Sequence, residues 1–249
     1  MKKEFYRRAL PHFQQPGQAY FVTWSLKDTV PKKALKDYSE KLEKLRLQIK
    51  SYEVTGATNS HNDIHPPINK KRDSVPDSLR DRPSEPPELS KLKEQYYSLR
   101  KKYMKAYDDL LHVQKKPSVD LIQKENLEKM KEALHFWDGK KIENCAYAIM
   151  PNHVHWVFGV FEKDENNNPV WLQDILHSVK RFSGNRINKL ENRTGPLWQK
   201  ESFDTTIRDE KHLYAAIKYT LNNPVAAGLV KDWKDWPGCW LPDKWIGDF

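Results

Sequence analysis

The sequence predicts an α+β fold in which an antiparallel sheet carries helices on one face and is interrupted by a helical insertion. Three observations predict it. Runs rich in β-branched and aromatic residues recur at 20–26, 142–150 and 153–160, the pattern of half-buried strands. Runs with a helical apolar period follow the first and the third of them. Between the first strand and the second lies a long polar stretch of different composition.

Residues 1–30 hold the first strand, Tyr20 to Leu26, entered through a Pro16-Gly17 turn. Residues 31–135 read as a helical hairpin insertion. Its first helix runs from Lys32 to Ser51, with Leu35, Tyr38, Leu42, Leu45 and Ile49 at helical spacing. Its second runs from Leu89 to Val113, with Leu92, Tyr96, Leu99 and Tyr103 as one stripe. The tip, 55–90, holds Pro66, Pro67, Pro76, Pro83, Pro86 and Pro87. It can bury too little apolar surface to offset the entropy of ordering, and disorder is expected there. A further helix is expected from a Ser118 cap to Phe136.

Residues 136–249 return to the sheet. Ile142 to Met150 and His153 to Val160 form two strands joined across Pro151-Asn152. Trp171 to Leu190 is an amphipathic helix, with Leu172, Ile175, Leu176, Val179, Phe182 and Ile187 inward and Lys180, Arg181, Arg186 and Lys189 outward. Gly195-Pro196 breaks the chain before an extended run from Leu197 to Ile207. Asp209 can cap a last helix that reaches about Asn222 and that Pro224 ends. Strand, helical insertion, two strands, helix, strand, helix is a ferredoxin-like order, and it leaves one sheet face available for a site.

The 249 residues carry a net charge of +9 and nine Trp. Cations neutralise phosphates and rings stack on unpaired bases, so a nucleic-acid partner suits this composition. A solvated basic surface would give the same composition. Cys145 and Cys239 are the only cysteines, which excludes a disulfide framework and fits a reducing compartment. The start, Met1-Lys-Lys-Glu-Phe5, has no apolar run after it, and no stretch approaches the roughly 18 apolar residues of a membrane span. The expected location is cytoplasmic, and no membrane partner is expected.

The densest chemistry lies in the run Met150 to Trp156, Met-Pro-Asn-His-Val-His-Trp. Strand side chains alternate faces, so His153 and His155 point one way and Val154 and Trp156 the other. Two imidazoles side by side can bind a divalent metal, although a polar sheet face would look the same. On the last helix Ala215, Tyr219 and Asn223 fall at i, i+4 and i+8 on one face, and the small Ala215 would allow a close approach. If that face meets the histidines, the Asn223 oxygen can be a third metal ligand and Tyr219 sits beside the ion. Such a set suits phosphodiester transesterification, in which a cation polarises the phosphate and a tyrosine oxygen attacks phosphorus. A free phenol is only about 0.1% ionised at pH 7, so the site must promote attack. Tyr219 as an ordinary core aromatic, Asn222-Asn223-Pro224 as a plain helix stop, and Tyr214 as a rival nucleophile turned off this face remain open on spacing alone. There is no Gly-rich phosphate loop, consistent with a bond energy that is conserved rather than drawn from ATP.

Ala146 to His155, Ala-Tyr-Ala-Ile-Met-Pro-Asn-His-Val-His, resembles the HUH signature of single-tyrosine transposases. Trp198 to Asp204, Ile207-Arg-Asp209 and Tyr219 to Val230 resemble the blocks that follow it in the REP-associated tyrosine transposases (RAYTs). Tyr6 to Gln15 and Tyr20 to Trp24 are similar to that family's N-terminal block. The resemblance covers 5–30 and 140–240, with no match to the insertion. It implies an HUH endonuclease core in 1–30 and 136–249. It implies that His153 and His155, with Asn223 as the helix-borne ligand, bind Mg²⁺ or Mn²⁺. Tyr219 would be the nucleophile, leaving a 5′-phosphotyrosine and a free 3′-OH. The substrate would be single-stranded DNA at hairpins formed by REP-like palindromes, cut and rejoined by a nucleoid-associated monomer or homodimer.

Arg7, Arg8 and His12 of an N-terminal arm, with Lys180, Arg181, Arg186 and Lys189 of the basic helix face, are then candidate phosphate contacts. Two other functions fit the same residues: a protein that holds hairpin DNA without cutting it, and a metal-dependent phosphoesterase that uses water and leaves Tyr219 structural.

Overall fold

The computed structural model describes residues 5–7, 11–13, 15–27, 29–30, 35–59, 86–113 and 117–249. Two short strands, β1 (Phe5–Arg7) and β2 (Pro11–Phe13), pair with each other. The main sheet is built from β3 (Ala19–Ser25), β4 (Ile142–Ile149), β5 (His153–Val160), β6 (Phe203–Thr206) and β7 (Cys239–Trp240). Its order is β6-β3-β5-β4-β7, antiparallel at every pairing. β5 therefore separates β3 from β4, the split arrangement of a ferredoxin-like α+β sheet. The helices are α1 (Lys36–Asn59), α2 (Pro87–Val113), α3 (Lys124–His135), α4 (Leu172–Leu190) and α5 (Glu210–Ala226).

Strand alternation divides the sheet into two unlike faces. On one face Val22 and Trp24 of β3, Ile149 of β4, and Val154, Trp156 and Phe158 of β5 pack against α3 and α4. α3 contributes Leu127, Met130 and Leu134; α4 contributes Ile175, Leu176, Val179 and Ile187. Trp24 meets Trp156 and Trp198 edge-on, and the Trp198 indole donates to Ser183 on α4 at 3.0 Å, so Trp198 is core. A bulge between Asn144 and Ala146 is pinned by Asn144, whose amide accepts from the Trp156 indole at 2.7 Å and donates to the Leu134 carbonyl at 3.1 Å. α5 lies on the opposite face, where Tyr219 meets Phe21 and His155. Two helices thus cover one face as expected, and the last helix covers the face that the sequence left open.

The chain divides into two units, Met1–Pro31 with Asp108–Phe249, and Lys32–Tyr107. In the second unit Tyr38 and Tyr103 meet edge-on at 6.0 Å, and Arg46 pairs with Glu43 at 3.2 Å. The expected boundary at 135 differs from this division. α3 belongs to the sheet unit because its apolar stripe fills the sheet core, and so does the end of α2 from Asp108 onward.

Several expected boundaries shift. α1 continues to Asn59, and α2 begins at Pro87, so both ends of the expected loose tip are helical. The remainder of that tip, 60–85, lies outside the described residues. α3 starts at Lys124 without a side-chain cap and not at a Ser118 cap. The preceding segment is drawn to the sheet instead, with the Leu121 N–H donating to the Pro151 carbonyl at 2.9 Å and Leu121 buried in the core. Asp209 caps α5 as expected, accepting from the His212 N–H at 2.7 Å. Pro224 does not end α5 but sits in its last turn, which closes at Ala226 before Gly228 at φ 70°. It removes one backbone hydrogen bond from that turn, because a proline has no N–H to give. Among the described residues, no helix is long and apolar enough to cross a membrane.

The edge strand β7 and the pair β1–β2 leave no sequence period long enough to detect. β7 is docked by Gly238, whose carbonyl accepts from the Ile149 N–H at 2.9 Å. A Cβ at Gly238 would overlap the Ile149 carbonyl oxygen and lie 2.8 Å from the Trp236 indole nitrogen. Gly238→Ala is expected to cost about 1–3 kcal/mol by overpacking, read as a lower midpoint in chemical denaturation. Gly159→Ala, with nothing within 4 Å of its added carbon, should stay within about 0.5 kcal/mol of the parent.

Candidate functional site

β5 opens immediately after the Pro151-Asn152 connection, and the Met150 N–H donates to the His153 carbonyl at 2.8 Å. That register puts His153 and His155 on the face away from Trp156. Both are buried, at 1% and 0% exposure. Their Nε2 atoms lie 3.0 Å apart and their rings are perpendicular.

The outer nitrogens are held by neighbours. The Asn152 amide donates to the Leu111 carbonyl at 2.9 Å, which turns its oxygen toward His153 Nδ1 at 2.6 Å. An amide oxygen only accepts, so His153 carries its proton on Nδ1 and presents Nε2 as a lone pair. His155 Nδ1 meets the Thr23 hydroxyl at 2.8 Å. That hydroxyl can accept, which frees Nε2 of His155 as well. Two lone pairs facing one another at 3.0 Å repel unless one nitrogen keeps a proton or a cation lies between them.

α5 brings the remaining expected residues. Ala216, Ile217, Thr220, Leu221, Asn223 and Pro224 are its buried residues, whereas Ala215 is exposed. The close approach therefore comes from Ala216, seven residues and nearly two turns before Asn223, and not from Ala215. Asn223 is buried at 3% exposure, and its oxygen meets a His112 ring nitrogen at 3.1 Å. The Tyr219 ring stands edge-on to His155 with centroids 5.8 Å apart. It is 42% exposed, while its hydroxyl donates to the buried carboxylate of Asp108 on α2. Tyr214 stacks instead on Phe249 at 4.7 Å, away from the histidines.

His153, His155, Tyr219 and Asn223 are thus brought together. Among the described residues, no cluster of three or more His, Cys, Asp or Glu side chains is arranged for a metal. The set here is two imidazoles and an amide oxygen. The two Nε2 atoms lie 3.0 Å apart, close enough to share one cation, and the tautomer at His153 is the ligating one. The residues fit a divalent cation.

Burial holds both histidines neutral. It pushes His153 well below the usual histidine value, helped by His155 and His112, and pushes His155 down to about 3, helped by His112 and opposed by Asn223. Burial also raises the Asp108 carboxyl to about 7, against the hydrogen bond from Tyr219. The phenol of Tyr219 is raised above its ordinary value by burial first and then by the Asp108 charge.

The expected phosphate contacts are not gathered here. α4 packs on the other side of the sheet from the histidines. Lys180 donates to the carbonyls of Gln199 and Glu201 at 3.2 and 3.3 Å, tying down the segment before β6. Arg186 lies over the Phe182 ring at 5.5 Å. Arg181, Arg186 and Lys189 are exposed, and Lys180 and Arg181 help line a cavity of about 320 Å³. Arg7 and His12 lie in β1 and β2, with side chains outside the description, and Arg8 lies outside the described residues.

Four site residues escaped the sequence reading: Thr23, Asn152, Asp108 and His112. Thr23 and Asn152 had a signal, as polar residues in or beside apolar strands. Asp108 and His112 are spaced i, i+4 on α2, and only the fold shows that they face α5. There the His112 ring nitrogen meets the Asn223 oxygen at 3.1 Å.

No protein-family model matches the chain. It is similar to a Haemophilus influenzae protein provisionally named a REP-associated tyrosine transposase, 29% identical over 102 residues, 38% of this chain and 56% of the relative. It is also similar to the REP-associated tyrosine transposase of Escherichia coli K12, 28% identical over 98 residues, 39% of this chain and 53% of the relative. The chain spans about half the length of these relatives. A solved structure of a REP-associated tyrosine transposase bound to a REP hairpin superposes with a TM-score of 0.39 at 14% identity, covering 96% of this chain and 82% of that one.

The neutral histidines have a consequence for stability. Between the ordinary histidine pKa of about 6.5 and the folded value of about 3, His155 takes up a proton only in the unfolded chain. The pair's contribution is complete above about pH 6.5 and is lost as pH falls below it. In urea titrations without metal, His155→Asn should show a shallower loss of stability than the parent between about pH 6.5 and 5. An identical slope would contradict the buried neutral state.

Proposed function

We propose that the chain is a metal-dependent single-stranded DNA endonuclease and strand transferase that works at DNA hairpins through a covalent 5′-phosphotyrosine. The observation that carries this reading is the convergence of Tyr219 with the histidine pair, His155 lying 5.8 Å from the Tyr219 ring and 3.0 Å from His153 across their Nε2 atoms. The similarity to REP-associated tyrosine transposases supports REP-like palindromes as the substrate class and a nucleoid location.

His153, His155 and Asn223 would hold Mg²⁺ or Mn²⁺, which supplies Lewis-acid polarisation of a phosphate oxygen and orients the phosphate. All three donors are neutral, so none of them would offset the charge of a cation held there. The Tyr219 oxygen attacks phosphorus, the P–O3′ bond breaks, and the DNA is left with a free 3′-OH on one side and a phosphotyrosine on the other. The reverse attack by a 3′-OH rejoins a strand without ATP. Thr23 and Asn152 orient the imidazoles. Arg181, Arg186 and Lys189 lie across the sheet from the histidines and would add longer-range attraction for DNA.

One observation favours a second reading. The three donors are 0–3% exposed, as they would be in a protein that holds hairpin DNA without cutting it. A 3′-labelled single-stranded hairpin incubated with Mn²⁺ and run on a denaturing gel separates the two. A labelled protein band that disappears in Tyr219→Phe is the expected result; tight binding with no cleavage under any metal supports the second reading. His153→Ala and His155→Ala should each abolish cleavage and largely spare hairpin binding, and normal cleavage by either would remove the metal assignment.

A further inference from the structure

We propose that Asp108 is the proton acceptor for the Tyr219 phenol. This rests on the reading of Tyr219 as the nucleophile. The Tyr219 hydroxyl donates its hydrogen bond to Asp108 Oδ2. Asp108 is 5% exposed, and among the described residues no cation pairs with it. Its Oδ1 is buried with no hydrogen-bond partner among the described residues. An aspartate buried without a cation is rare and costly, so a structural role accounts poorly for it.

Its aim is set by a second contact. His112 follows Asp108 by four residues on α2, and Asn223 follows Tyr219 by four on α5. The pairs Asp108–Tyr219 and His112–Asn223 therefore form two rungs one turn apart between helices running the same way. The rungs engage the nucleophile and the amide ligand at once. The groups facing Asp108 are Tyr219 from α5 and Asp109 beside it on α2, with His112 one turn on and His153 of β5 beyond His112.

The site needs an acceptor. A phenol with its ordinary pKa of about 10 is almost wholly protonated at neutral pH, and all three ligands are neutral, so none of them can take its proton. As the Tyr219 oxygen forms its bond to phosphorus, its proton passes to Asp108 Oδ2. The electron pair of the breaking P–O3′ bond leaves with O3′, which takes a proton from solvent. In the reverse step the 3′-OH attacks and gives its proton to solvent, and the departing Tyr219 oxygen recovers the proton from Asp108. A carboxyl raised by burial to about 7 is well matched to moving a proton in both directions near neutral pH.

The test uses the full chain, Mn²⁺ and a 3′-labelled pool of single-stranded oligonucleotides with a stem-loop and randomised flanks. Asp108→Asn keeps the shape and an accepting oxygen but cannot take the proton. Adduct formation is expected to slow by about 100-fold or more, with hairpin binding unchanged and a melting temperature no lower than the parent's. Its residual rate should climb with pH beyond 8, whereas the parent rate should level off near pH 7. Undiminished or faster adduct formation by Asp108→Asn would overturn the assignment, the faster case marking the carboxylate as a restraint on Tyr219. A parent rate that keeps rising through pH 9 would overturn it without any variant. Adduct formation by Tyr219→Phe, or no adduct from the parent, would overturn the nucleophile reading itself and the assignment with it.

Discussion

The structure depends on one constraint: a single strand, β5, must satisfy two unlike surroundings at alternate residues. Val154, Trp156 and Phe158 complete the core under α3 and α4, while His153 and His155 face α5. A one-residue slip would exchange the two sets and bury imidazoles in hydrocarbon. The register is protected from both sides. Trp156 is held by Asn144 at the bulge of β4, and Thr23 of β3 pairs with His155 both in the ladder and through its hydroxyl.

Burial makes the histidine face chemically useful. Imidazoles in water would be partly protonated near neutral pH and poor ligands. Here they are neutral, and their outer nitrogens are assigned by Asn152 and Thr23. The same burial raises Asp108 and Tyr219, so the groups that must exchange a proton sit where neither ionises freely. Polar groups packed this closely must satisfy one another, and the few left unsatisfied are therefore informative. Asp108 Oδ1 is one of them.

Much was legible in the sequence wherever a period was long enough to read. The strands β3, β4 and β5 and the helix α4 match their apolar patterns to within a residue or so, and the Asp209 cap sits where a short acidic side chain precedes a helix. The start of α3 was misplaced because Leu121 is held by the sheet, a tertiary pull that outweighs local capping. Ala215 was assigned the close approach because helical spacing gives relative angles and not the direction of the contact. Only the packing shows that α5 is rotated so that Ala216 leads.

The sequence by itself determined the alternation of β5, the neighbouring histidines on one face, and the four-residue spacing of Tyr219 and Asn223. These are local consequences of backbone geometry, with periods of two and 3.6 residues. The tertiary structure alone decided which surfaces meet. It set α5 on the histidine face, put the basic face of α4 across the sheet, and brought Asp108 and His112 from the end of α2 to residues 111 positions later in the chain. Contacts of that range have no period in the sequence, because they follow from how apolar faces are buried against one another and not from any local preference of the residues that touch.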